Sequence, residues 1–195
     1  QPGRSELRPT LYSYVAALDS FGRRGRGRDA EELLHRILRE GKATPHKALY
    51  NTVINAWAKS NEKDAPVRCK QLLTTMAEMA IEWGDDNLIP DVMAYTATLD
   101  SYARRGKAVE AEALLQEMIA DGRVLPDNFS FGTVMNGWSK SKAEDGPEQC
   151  LRLLGLMERL AAEHGREDMR PTTISICIIL DAYVRRRRPR DAEVF

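Results

Sequence analysis

Aromatic and aliphatic side chains recur along the chain at i, i+4 and i+7. The trios are Tyr14, Leu18 and Phe21; Tyr50, Ile54 and Trp57; Tyr95, Leu99 and Tyr102; Phe131, Met135 and Trp138; and Ile176, Leu180 and Tyr183. Such spacing places each trio on one face of an α-helix. A second apolar block follows each of the first four: Ala30, Leu33, Leu34, Ile37 and Leu38; Cys69, Leu72, Leu73 and Met76; Ala111, Leu114, Leu115 and Met118; Cys150, Leu153, Leu154 and Met157. The pattern predicts pairs of amphipathic helices, with Gly41, Gly84, Gly122 and Gly165 stopping the second helix of each pair.

A proline precedes every pair, at Pro9, Pro45, Pro90, Pro126 and Pro171, so the intervals alternate between 36 and 45 residues and the full period is 81. Twelve landmarks of the third pair, among them Tyr95, Leu99, Asp100, Arg104, Arg105, Ala111, Glu112 and Leu115, have an identical residue 81 positions earlier. A fixed internal period of this kind predicts a helical repeat array. The expected fold is all-α, a solenoid superhelix of helix-turn-helix hairpins. Its repeats cover 11–46, 47–91, 92–127, 128–172 and 173–195, the last incomplete, after a polar lead-in at 1–8. The long repeats gain residues in the inner turn, at Asp64-Ala65-Pro66 and Asp145 to Pro147, and one added turn of the second helix before Gly84 and Gly165. The fifth repeat stops inside its second helix, which leaves an apolar face uncovered. A longer array, or another subunit over that end, is the expectation.

Lys and Arg number 29 and Asp and Glu number 29, so any positive surface must arise from placement rather than total charge. The three cysteines, Cys69, Cys150 and Cys177, form no CxxC pair, and His35, His46 and His164 share no metal-like spacing. No metal and no cofactor are expected. No glycine-rich phosphate loop, carboxylate pair or nucleophile–base arrangement stands out, so an enzyme is not expected. No apolar run reaches the ~20 residues of a membrane span, and no targeting segment is seen.

Among helical repeats, the tetratricopeptide pattern W-x2-L-G-x2-Y is missing from all five pairs. Instead the first helices read aromatic, variable, then two aliphatic positions, a polar residue and a second aromatic, as in Tyr50 to Trp57 and Tyr95 to Tyr102. Together with the closure Met118, Gly122, Pro126 and Asp127, this resembles the pentatricopeptide repeat (PPR) family over residues 9–195. The resemblance implies a superhelix that binds single-stranded RNA, one base per repeat, in mitochondria or plastids and in organellar RNA processing. It implies base reading by the residue after the first-helix aromatic together with the residue closing the repeat. Carried onto this chain, those are Asn51 with Asp91 and Thr96 with Asp127, which resemble the family's pairs for U and for G. An aspartate accepts hydrogen bonds only, which suits the N–H donors of U and G. The other repeats depart from the pattern, with Val15 and His46, Gly132 and Thr172, and Cys177 with no closing residue.

The base-flanking positions implied by the resemblance are Tyr12, Met93, Phe129 and Ile174, with a small Ala48 in the second repeat. Those implied to contact phosphate are Arg23, Lys59, Arg104, Lys140 and Arg185, each two residues after the second aromatic, where stacked repeats would line them into a positive stripe. The same cations would also complement the carbonyl end of each first helix without any ligand, and the run Arg185 to Arg188 reads otherwise as a solvated face. Trp57, Trp138, Cys69 and Cys150 read as core. Trp83, on the added turn, reads as packing under the connector or touching a partner. The incomplete code, neutral charge and open end also fit a second expectation, a scaffold subunit of a large organellar ribonucleoprotein assembly such as a mitochondrial ribosome, with proteins among its partners.

Overall fold

The computed structural model describes residues 9–188 and 191. The lead-in at 1–8 and the expected second helix of the fifth repeat beyond Asp191 lie outside the described residues. Nine α-helices occur among them: α1 Leu11–Gly22, α2 Gly27–Arg39, α3 Lys47–Lys59, α4 Ala65–Trp83, α5 Val92–Ala103, α6 Ala108–Asp121, α7 Asn128–Lys140, α8 Gly146–His164 and α9 Thr173–Arg185. The odd-numbered helices carry the aromatic trios. The even-numbered ones carry the second apolar blocks, as the periodicity predicts.

The residue after each of these prolines is the N-cap of an odd-numbered helix, which begins one residue later. Asp91 Oδ1 accepts the N–H of Ala94 at 3.0 Å, and Asp127 Oδ1 accepts that of Ser130 at 2.8 Å. His46 Nδ1 accepts the N–H of Ala48 at 3.1 Å. At Thr10 and Thr172 the hydroxyls of Ser13 and Ser175 accept the backbone N–H of the capping threonine, at 3.3 Å in both cases. All five satisfy donors that a helix start otherwise leaves without partners.

α4 and α8 each have 19 residues, where α2 has 13 and α6 has 14. Gly84 and Gly165 end the long helices at φ 61° and 62°, a left-handed conformation that a side chain would strain. What periodicity does not predict is the path of the connectors. Each makes a short 3-10 turn, Asp86–Leu88 and Glu167–Met169, which folds back on the long helix and buries Leu88 and Met169 completely. Trp83 does not pack beneath its connector; it is 54% exposed.

Two compact units result, one up to Pro90 and one from Asp91 onward. In the amino-terminal unit α1 packs on α2 and α3, and α3 packs on α2 and α4. Leu18, Leu34, Leu49, Ile54 and Met76 fill its interior. In the carboxy-terminal unit α5, α7 and α9 lie side by side, α6 contacts α5 and α7, and α8 contacts α7 and α9. Leu99, Leu115, Phe131, Met135, Met157 and Ile179 form its core.

A polar link ties the helices of each unit. In the first, the Trp57 indole N–H donates to the buried Glu31 at 2.8 Å, and Arg68 of α4 binds the same carboxylate through Nε at 3.2 Å and a second guanidinium nitrogen. In the second, Trp138 donates to Glu112 at 2.8 Å and Arg152 of α8 pairs with it. Both oxygens of each glutamate are thus met, which is what makes a carboxylate tolerable beside an indole. Cys69 and Cys150 are fully buried and hydrogen-bond the carbonyls of Ile54 and Met135. Burial pushes the Cys150 thiol up to about 12, and both cysteines occupy core positions as small residues.

Candidate nucleic-acid interface

The four exposed apolar positions singled out in the sequence share one geometric place, the second residue of an odd-numbered helix. There the side chain projects from the first turn instead of into the hairpin. Tyr12 is 84% exposed on α1; Met93, Phe129 and Ile174 are 65, 70 and 66% exposed on α5, α7 and α9. The last three belong to one unit, on neighbouring helices. Ala48 is half-buried on α3.

Between the first turns of α7 and α9 lies an open groove of about 370 Å³. Phe129 and Ile174 stand on its two sides, and Gly132, Asn136, Thr172 and Ile178 line it. Gly132 supplies no side chain, which is why the groove is open. The sequence pattern finds no edge-reading group at this repeat, yet its surface can receive a flat ring.

Thr96 and Asp127 lie in the same unit, and a third residue joins them. The Ser130 hydroxyl donates to Asp127 Oδ1 at 2.9 Å and shares a 2.9 Å hydrogen bond with the Thr96 hydroxyl. Ser130 is wholly buried, while Thr96 and Asp127 are half-buried and reachable from solvent. Sequence reading missed Ser130, because a serine three residues after an aspartate cap looks like ordinary helix-start chemistry. Asn51 sits half-buried on α3 in the amino-terminal unit, and Asp91 caps α5 at the start of the carboxy-terminal unit.

The five basic positions all end odd-numbered helices or cap them, and all are exposed. They divide into two kinds. Arg23, Arg104 and Arg185 pair with the aspartate four residues earlier, Asp19 at 2.8 Å, Asp100 at 2.6 Å and Asp181 at 2.6 Å. Lys59 and Lys140 follow Asn55 and Asn136 instead, so no carboxylate stands at that place. The bond from Arg185, joined by one from Ser139, holds the Asp181 carboxyl below the usual carboxylate range. The kind alternates along the chain: Asp and Arg in the first, third and fifth repeats, Asn and Lys in the second and fourth.

The run Arg185 to Arg188 is not simply a solvated face. Arg186 donates to the carbonyl oxygens of Ala143 at 2.7 Å, Ala182 at 3.0 Å, Ser139 and Trp138 at 3.1 Å and Ser141 at 3.3 Å, binding the carbonyl end of α7 to α9. Arg188 pairs with Glu148 and Asp191 and lies 5.5 Å over the Tyr183 ring. Among the described residues no group of three His, Cys, Asp or Glu could hold a metal ion, and no helix is long and apolar enough to cross a membrane.

A family model described as PPR repeat matches residues 12–41 and 93–123. A chloroplastic pentatricopeptide repeat-containing protein of Arabidopsis thaliana is 25% identical over 142 residues, covering 69% of this chain and 17% of the relative. A second Arabidopsis thaliana pentatricopeptide repeat-containing protein is 28% identical over 131 residues, covering 67% of this chain and 20% of the relative. The crystal structure of the pentatricopeptide repeat protein PPR10 from maize superposes with a TM-score of 0.73 over 96% of this chain and 24% of that one, at 22% identity. PPR10 in complex with an 18-nt psaJ RNA element matches with a TM-score of 0.69 over 95% of this chain and 24% of that one, also at 22% identity. These likenesses show the fold, an α-solenoid of helical hairpins. The chain spans about a fifth of the length of the curated relatives it matches.

Proposed function

We propose that the chain is a pentatricopeptide repeat protein and that it binds single-stranded RNA selectively, in the RNA metabolism of a plastid or mitochondrion. The observation that carries this is the row of Met93, Phe129 and Ile174 on adjacent helices. Each leaves a large apolar surface in water beside half-buried polar groups. Bases offer flat apolar faces and polar edges, and stacking on an aromatic contributes about 1–3 kcal/mol per base. Thr96 with Asp127 reads G, and Asn51 with Asp91 reads the U on its 5′ side. PPR10 has been crystallised with a bound 18-nt RNA, and one relative is named chloroplastic, which supports the substrate class and the organelle.

Lys59 and Lys140 contribute most to the phosphate contacts, because Arg23, Arg104 and Arg185 share their charge with an adjacent aspartate. Filter binding of an RNA containing UG, against scrambled and poly-C controls, tests the reading. We expect the UG RNA to bind tightest and the log–log salt slope to fall by ~0.7 for each phosphate contact removed. Lys59→Ala with Lys140→Ala lowers that slope more than Arg104→Ala does. Affinity for the UG RNA that survives Asn51→Ala with Thr96→Ala unchanged removes the base-reading part.

A second reading has its own observation. Ile81 and Trp83, on the last turn of α4, are 68 and 54% exposed, a pair of large apolar side chains suited to a protein surface. On this reading the chain is a scaffold subunit of a large organellar assembly, such as a mitochondrial ribosome. A monomer whose sole ligand is short RNA would refute it.

A further inference from the structure

We propose that Ser130 determines the selectivity of the carboxy-terminal unit by fixing which way the Thr96 hydroxyl points its proton. This rests on the reading of Thr96 and Asp127 as base-contacting residues. The argument is a count of protons. A serine or threonine hydroxyl has one proton to give and two lone pairs to receive, and a carboxylate oxygen only receives. Ser130 Oγ stands 2.9 Å from Asp127 Oδ1 and 2.9 Å from Thr96 Oγ1, in a position wholly shielded from solvent. Its single proton goes to Asp127, since turning it elsewhere would press two acceptors together at that distance. Ser130 therefore meets Thr96 with a lone pair, and the Thr96 proton is spent inward on Ser130.

The consequence appears on the reachable side. With its proton turned inward, Thr96 presents lone pairs only, and Asp127 accepts only. Neither of these two half-buried groups then offers a donor, and Arg166, whose charge acts on Asp127, is held by Asp168. Guanine is the base whose pairing edge carries two adjacent donors, the N1–H and the N2 amine. Adenine and cytosine each put a ring acceptor beside their amine, and uracil has one donor between two acceptors. An acceptor-only site favours guanine and repels a ring nitrogen that offers a lone pair. Without Ser130 the Thr96 hydroxyl would rotate freely and could serve as donor or acceptor. Ser130 is thus a positioning residue: it touches no base and sets the polarity of one that does.

The equivalent place beside the other aspartate cap is Ala94, so an alanine is compatible with this helix start. The test measures binding of the full chain to RNAs that differ at one position, G against inosine and G against A, for the unaltered protein, Ser130→Ala and Thr96→Val. Inosine keeps the N1–H and lacks the N2 amine. The unaltered protein should prefer G over inosine by about three- to tenfold, the worth of one hydrogen bond. Ser130→Ala should bring that ratio close to one and relax G against A, leaving the salt slope and thermal midpoint nearly unchanged. Thr96→Val should abolish the inosine discrimination as well. A Ser130→Ala protein that keeps the full G-over-inosine ratio overturns the inference, as does an unaltered protein that binds both RNAs equally. If the unaltered protein binds no RNA at all, the RNA-binding reading fails instead.

Discussion

Glu31 and Glu112 occupy the same place in the two compact units, and each accepts an indole N–H and pairs with an arginine. The arginines come from different positions. In the amino-terminal unit Arg68 makes the pair and Gln71 supports it at 2.9 Å. In the carboxy-terminal unit the residue matching Arg68 is Gln149 and the one matching Gln71 is Arg152, again 2.9 Å apart. The same exchange occurs where the first helices touch. Gly22 faces Ala56, while 81 residues later Ala103 faces Gly137. In both places the constraint belongs to the pair: one guanidinium must reach the glutamate, and one methyl group must fit between the helices. Either partner can supply it.

The proposed reading surface behaves differently. Thr96, Ser130 and Asp127 form a hydrogen-bonded series, whereas the residues 81 positions earlier are Val15, Leu49 and His46. Leu49 is fully buried and His46 spends Nδ1 on its helix cap. Packing is kept by compensation, and polar chemistry is present in one copy without any trace in the other.

The largest effect should come from deleting what both copies share. Trp57→Ala removes a buried indole and leaves Glu31 without its N–H donor, and should cost about 3–5 kcal/mol of stability by urea denaturation. Trp138→Ala should match it. A smaller effect is expected from Arg68→Gln, about 1–3 kcal/mol, because the buried carboxylate loses its guanidinium and keeps the indole, with His35 Nε2 3.9 Å away. Adding Gln71→Arg reproduces the carboxy-terminal arrangement and should recover most of that loss; no recovery would mean that the two links are not interchangeable. The smallest effect concerns the helix contact. A methyl group on Gly137 would lie 3.1 Å from the Ala103 Cβ, so Gly137→Ala should change stability by about 1 kcal/mol or less, with crowding set against better helix propensity. The informative quantity is the coupling: Ala103→Gly should become less costly in that background. Additive effects would show that the pair is not a unit.

The helices, their order and their stops were legible because period and punctuation survive in any one copy. Cys69, Cys150, Trp57 and Trp138 were legible as core because small or aromatic residues stand at every matching place. Leu88 and Met169 were not. Leu88 stands beside Ile89 after three polar residues and Met169 among polar residues, and only the folding back of the 3-10 turn reveals which side chain is buried. The identity of Glu31 and Glu112 was visible, but not its cause, since the arginine partner changes position. Asp19, Asp100 and Asp181 could have been read as partners of Arg23, Arg104 and Arg185, since i, i+4 pairs of opposite charge face one another on a helix. Ser130 carried no signal beyond its helix cap, because its second bond crosses from α7 to α5.

Asp91 and Asp127 each cap a helix, and on the proposed function each also meets a base edge. A residue with that double duty draws on a restricted alphabet. Aspartate, asparagine, serine and threonine cap a helix well, and His46 does so for α3, whereas replacing such a cap with alanine costs about 1 kcal/mol. Changes of recognition at these positions are therefore screened first by folding, and the vocabulary of bases such a surface can acquire is bounded by what the next helix will accept as its first word.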